Sequence, residues 1–233
     1  PPPPPAPAPS LPFPRPSRPY GPAGPPTPSP ASLGRFSASG VRAALEKSLA
    51  ALGTTYLDLL LLHSVGPSPA ARHEAWSELE ALKREGLVRA IGVSNFGVRE
   101  LKDLVSKATI KPAVNQVKFN VYHRGGTHNA QGDDLAEYAQ QQGILLIGYC
   151  TLNDWPSKLK PVYDMHVASV ARRLGRTPAQ VLLQWSIQVG ISPLTRSRSE
   201  ARLAEAAELL SDATSFVLSV EDEDYLSGKN VTY

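Results

Sequence analysis

The chain has one cysteine, Cys150, and one methionine, Met165, in 233 residues. One cysteine excludes an internal disulfide and fits a reducing compartment, so a cytoplasmic location is expected. No apolar run nears the ~20 residues that cross a bilayer, and no membrane partner is expected. No metal site is expected either. His123 and His128, at the ends of HRGGTH, lack carboxylates or thiolates at ligand spacing and read as surface residues. The formal charge is only +3, and the basic residues are scattered apart from one cluster, which argues against nucleic acid. No G-x-G-x-x-G follows the first strand-like run, so the dinucleotide fingerprint of a Rossmann domain is absent. The sequence opens on Pro1 rather than methionine; the expectation is a fragment, a processed product or an incomplete gene model.

Proline is the one residue in excess, and most of the 23 prolines fall in residues 1–34. Such a segment cannot form helix or sheet ladders and reads as disordered or polyproline II. Pro16, Pro19, Pro22, Pro25 and Pro28 recur every third residue, as a ligand for an SH3- or WW-type groove would. The plainer reading is a solvated linker or mistranslated exon.

Residues 35–233 have another texture. Strand-length apolar runs alternate with amphipathic stretches: helix VRAALEKSLAALG, strand YLDLLLLH, helix HEAWSELEALKREG, strand VRAIGVSN, helix GVRELKDLVSK, strand PAVNQVKFN, helix DDLAEYAQQQG, strand ILLIGYC, helices PVYDMHVASVARRLG and TPAQVLLQWSIQVG, strand ISPLT and helix SEARLAEAAELL. Strands apolar on both faces are parallel and helix-covered. About five strand–helix units predict an α/β fold, either a barrel or an open doubly wound sheet.

Polar residues gather where the strands end: His63 and Ser64, then Ser94 and Asn95, Gln116 and Asn120, Tyr149 and Cys150, and Thr195 and Arg196. In parallel α/β folds that edge binds ligands. His63 raises the sharpest question, because a histidine ending an apolar strand is either a satisfied core residue or one delivered to a site. The basic cluster TRSRSEARL places Arg196, Arg198 and Arg202 around Ser197 and Ser199. The Ser197–Glu200 spacing suggests that Ser197 caps the helix, and such a terminus suits a phosphate. An ordinary capped helix with solvated arginines fits equally well.

Several stretches are recognisable. SLAALGTTYLDLLLLHS, LVRAIGVSNF, PAVNQVKFNVY, GILLIGYC, RTPAQVLLQW and TRSRSEARLAEA resemble, in order, segments of the aldo-keto reductase family, over about residues 37–230. The resemblance implies an incomplete (β/α)8 TIM barrel, binding NADP(H) without a Rossmann domain and transferring hydride between the nicotinamide and an aldehyde or ketone. It implies that His63 orients a small carbonyl substrate. Ser94, Asn95 and Gln116 would hold the nicotinamide carboxamide, and Tyr149 would stack on its ring. Arg196, Ser197 and Arg202 would meet the 2′-phosphate, and Glu205 would face the adenine end. Four positions depart from the family pattern. Ala206 replaces a usual asparagine, Cys150–Thr151 a usual Ser-Pro, and Asn120 a common histidine.

The family's aspartate, tyrosine and lysine, which would precede His63, have no counterpart here. Before His63 stand only Tyr20, Tyr56, Lys47 and Asp58, none in a family motif. An NADP(H)-dependent oxidoreductase whose chain is inactive alone is therefore expected. The alternative is a non-catalytic regulatory or scaffold protein of the same fold. An incomplete barrel would also leave open sheet edges and an uncovered interior.

Overall fold

A computed structural model describes residues 36–124, 135–210 and 216–228. The proline-rich tract, with its docking periodicity, lies outside the described residues, as does His128. Helix α1 (Ala38–Leu52) leads into strand β1 (Leu57–Leu62), followed by α2 (Pro69–Arg84), β2 (Val88–Ser94), α3 (Val98–Lys107) and β3 (Val114–Asn120). Then come a short β4 (His123–Arg124), α4 (Leu135–Gln142), β5 (Leu145–Tyr149), α5 (Met165–Leu174), α6 (Pro178–Gln188), β6 (Ser192–Pro193), α7 (Glu200–Ala207) and α8 (Val220–Ser227).

Five strands pair in parallel in the order β1-β2-β3-β5-β6, while β4 pairs antiparallel with β3. This order settles the choice the sequence left open. A doubly wound sheet reverses its strand order at a switch point and carries helices on both faces. Here each strand lies beside its predecessor among the parallel strands. Right-handed crossovers of that kind put every helix on one face, as in a barrel. Among the described residues the sheet does not close; β1 pairs only with β2, and β6 only with β5.

The helices begin and end where local chemistry requires. Ser37 caps α1 by accepting from the Gly40 amide at 3.2 Å, and Gly53 ends it in the left-handed region at φ 62°. Thr177 and Gln180 form the capping box of α6, with Pro178 in its first turn. Helix α2 starts four residues before the expected His73, because Ser68 caps it and Pro69 opens it. The expected helix over 161–175 is split: residues 161–163 form a 3-10 turn and the Asp164 carboxylate caps α5. The expected cap at Ser197 is corrected too. Ser199 caps α7, its hydroxyl accepting from the Arg202 amide, while the Ser197 hydroxyl accepts from the Ser199 amide at 3.0 Å. Helix α8 was not anticipated.

The core lies between sheet and helices. Trp76 and Trp185 are buried, as their helical positions suggest, and Trp185 stacks on Phe119 of β3 with centroids 5.0 Å apart. The buried Glu80 carboxylate accepts from the Thr109 and Ile110 amides at 2.8 and 2.9 Å, which offsets its desolvation. One expectation fails at β1. Its leucines read as a fully buried strand, yet only Leu62 is buried, and Leu57, Leu59, Leu60 and Leu61 are half-buried. As an edge strand, β1 has a neighbour on one side only.

Candidate active site

Strand periodicity sorts the side chains. Phe119 points to the helices, so Gln116, Lys118 and Asn120 point the other way, to the concave face. Parallel partners share a face: Ser94 pairs with Gln116, and Lys118 with Tyr149. Ser94, Gln116, Lys118, Asn120 and Tyr149 thus form a polar rim at the C-terminal end of the concave face.

Asn95 ties three strand ends together. It stands just after β2 in the left-handed region, at φ 63°, a conformation asparagine tolerates better than most residues. Its Nδ2 donates to the His63 carbonyl at 2.8 Å and to Ser94 Oγ at 3.2 Å. Its Oδ1 accepts from the Tyr149 hydroxyl at 2.7 Å. Ser94 Oγ in turn donates to the Gln116 carbonyl at 2.8 Å. The ends of β1, β2, β3 and β5 are therefore joined by one hydrogen-bond network, and His63, Ser94, Asn95, Gln116 and Tyr149 are brought together as neighbours. Burial pushes the Tyr149 phenol up to about 12, helped by the nearby Cys150, so Tyr149 is neutral at pH 7. His63 sits exposed at the rim, and the burial its ring does experience lowers its pKa from the usual histidine value. It too is neutral at pH 7, with a ring nitrogen able to accept and another to donate.

From Tyr149 an open groove of about 1120 Å³ runs between the 150–160 segment and the end of β6. Cys150, Trp155, Lys158 and Lys160 line one side, and Leu194, Thr195 and Arg196 the other. Arg196, Arg198 and Arg202 are exposed and make no ion pair with any described residue. These guanidinium groups, with Ser197 beside the start of α7, are a donor set that suits a phosphate monoester. Glu205 is placed differently from the rest. Its carboxylate accepts from the Thr177 hydroxyl, tying α7 to the first turn of α6.

Of the groups before His63, Tyr56 and Asp58 do not reach this rim. Tyr56 and Asp58 lie at the opposite end of β1, where the Arg89 guanidinium covers the Tyr56 ring at 4.2 Å and pairs with Asp58 at 2.9 Å. Below the groove is a cluster that the sequence reading missed. Lys118 Nζ lies 2.6 Å from Asp154 Oδ1, and the Asp154 side chain is wholly buried. Asn120 Nδ2 donates to the same oxygen at 2.9 Å, and Ser157 Oγ to Oδ2 at 2.5 Å. Burial pushes the Asp154 carboxyl up, but donation from Lys118, Ser157 and Asn120 outweighs it and holds the group at about 2. The alternation Gln116, Lys118, Asn120 in VNQVKFN was the available signal, since three polar residues at period two cannot face the helices. Among the described residues no helix is long and apolar enough to cross a membrane.

Fold and site together define part of a parallel barrel with an open groove at its C-terminal strand edge. Comparison with known proteins agrees. The model of the aldo/keto reductase family matches residues 30–227. Glyoxal reductase of Bacillus subtilis (strain 168) is 37% identical over 189 residues, 81% of this chain and 62% of the relative. Aldo-keto reductase family 1 member A1 of Bos taurus is 32% identical over 214 residues, 82% of this chain and 62% of the relative. A crystal structure of a Bombyx mori aldo-keto reductase in complex with NADP superposes with a TM-score of 0.71 at 26% identity, covering 84% of this chain and 64% of that one. The chain belongs to the aldo/keto reductase family. It spans about three fifths of the length of the curated relatives it matches.

Proposed function

We propose that the chain is the dinucleotide- and substrate-holding part of an NADP(H)-dependent oxidoreductase that interconverts small aldehydes or ketones with alcohols. The observation that carries this reading is the groove itself, with Tyr149 at the joined strand ends and, at its other side, Arg196, which has no ion pair among the described residues. The relatives' printed activities, glyoxal reduction and NADPH-dependent alpha-keto amide reduction, point the same way. When bound, NADPH would supply the hydride. Arg196, Ser197 and Arg202 would hold the 2′-phosphate, which favours NADP(H) over NAD(H). Tyr149 offers an aromatic face for the nicotinamide, and Ser94, Asn95 and Gln116 offer amide and hydroxyl groups for its carboxamide. His63, neutral at the rim, would orient the substrate carbonyl by hydrogen bonding.

Carbonyl reduction also requires a proton for the developing alkoxide. Neither Tyr56 nor Asp58 can deliver one from the far end of β1, and Tyr149, with its phenol near 12 and its hydrogen engaged by Asn95, is a poor donor. The purified chain is therefore expected to bind NADPH without rapid turnover. Titration of NADPH fluorescence should show saturable quenching or enhancement, weaker for NADH. Carbonyl-dependent NADPH oxidation at ordinary enzyme rates, ~1–10³ per second, would refute the inactivity. A scaffold role without cofactor draws on one observation: the Asn95 amide nitrogen already donates to His63 and Ser94, and its oxygen already accepts from Tyr149. Lack of any NADPH response would favour it.

A further inference from the structure

We propose that Lys118, Asn120, Asp154 and Ser157 are positioning residues that latch the 150–160 segment onto β3 and so set the shape of the groove. The segment forms one whole side of that groove, from Cys150 to Lys160. Leu152 packs against the core, and the segment's polar attachment to β3 runs through Lys118 and Asn120. Asn120 Nδ2 reaches the Cys150 and Asn153 carbonyls at 3.1 and 3.4 Å as well as Asp154. Asp154 receives Lys118 from β3, and contacts within the segment brace it: Ser157 Oγ donates to Asp154, the Asp154 amide donates to the Leu159 carbonyl at 3.2 Å, and Ser157 Oγ accepts from the Leu159 amide at 3.1 Å. The segment's large side chain, Trp155, is 67% exposed and adds little apolar anchoring. A buried ion pair contributes little net stability against an apolar pair of equal volume, but loss of one partner is severe, so such pairs set geometry more than stability. Lys118 and Tyr149 are register partners, so the latch and the aromatic floor of the groove are built on adjacent strands.

The chain carries its own probe of this device. Cys150 is its only thiol, lies half-buried in the groove wall, and has its carbonyl held by Asn120. Burial also raises its pKa, which slows thiolate formation. Asp154 and Lys118 also act on this thiol through their charge, so the latch is read from the rate per thiolate, taken from the pH profile of Cys150 labelling by an aromatic disulfide reagent in the folded chain. Asp154→Ala should speed labelling by about tenfold or more, because it strands the Lys118 ammonium. Ser157→Ala, which removes one neutral donor, should speed it by a few-fold, about 2–5. Asp58→Asn, at an exposed ion pair far from the groove, should leave the rate unchanged. If Asp154→Ala proves unfolded by circular dichroism, Ser157→Ala decides. Labelling of the folded variants at the wild-type rate overturns the proposal. The consequence for the cofactor rests on the function proposed above: NADPH affinity should fall in the same order as labelling rises. A wild-type chain that binds no NADPH would refute that function while leaving the labelling result to judge the latch.

Discussion

Tyr149→Phe removes one oxygen from the middle of the site, and its effect on stability should change sign with pH. At neutral pH the variant loses the 2.7 Å bond to Asn95 Oδ1 and leaves that acceptor unpaired, a cost of about 1 kcal/mol. The alkaline side runs oppositely. The phenol is at about 12 in the fold against an ordinary value near 10, so above pH 10 the unfolded chain ionises while the folded chain still holds its proton. The native state then binds more protons than the unfolded state, and stability falls as pH rises through that window. Two pKa units correspond to roughly 2–3 kcal/mol, most of it lost by about pH 12. Phenylalanine has no such slope. The wild type should be the more stable below about pH 10, the two should cross near pH 11, and the variant should survive to higher pH. Urea-unfolding midpoints of both proteins between pH 7 and about pH 11.5 test this, with the wild-type-minus-variant phenolate absorbance isolating Tyr149 among the eight tyrosines. A constant offset across the range would refute the reasoning, because it would mean that the phenol is not desolvated.

Three further outcomes follow from the same geometry. Gly92→Ala would bring a Cβ to 2.6 Å from the Val114 carbonyl oxygen and 2.7 Å from a Leu61 methyl, so it should destabilise by about 1–3 kcal/mol in urea unfolding. Asp154, held at about 2, contributes stability that is present above the ordinary carboxylate pKa near 4 and lost as pH falls from about 4 to 2. Asp154→Asn should flatten the acid limb of the thermal midpoint over that interval. Arg196→Ala and Arg202→Ala should weaken NADPH more than NADH in a fluorescence titration, by about tenfold each at low salt and less at high salt.

The fold was legible wherever one residue pattern had one physical meaning. The apolar runs at 88–95, 112–120 and 144–150 fall within a residue or two of β2, β3 and β5, because strands buried on both faces leave no other reading. The alternation of strands with helices could not by itself choose between barrel and open sheet; strand order did, and order is a tertiary property. Helix starts were missed where the cap lay outside the apolar pattern. Ser68 and Pro69 precede the first periodic residue of α2, and Ser197 has a glutamate three residues on where the actual cap, Ser199, has Arg202. The five residues of this network read in sequence as separate strand positions, and only the structure shows that the Asn95 amide joins His63, Ser94 and Tyr149, with Gln116 reached through Ser94. Lys118 escaped notice because one lysine in a strand reads as surface until its partner, 36 residues away, is known.

Chain-order strand pairing has a consequence for how this molecule can come apart. Each strand's sheet neighbours are its predecessor and successor among the parallel strands, so most loops to be closed are short and most native contacts are local in sequence. Such a molecule resembles a short stack of units more than a knot of distant contacts, and its cooperativity need not be all-or-none. The β1 end, bounded by half-buried leucines, and the β6 end, bounded by a two-residue strand, should fray first in native-state hydrogen exchange. The unit built from β2, β3 and β5 would then exchange last, as the part of the chain that keeps its shape while the margins open and close.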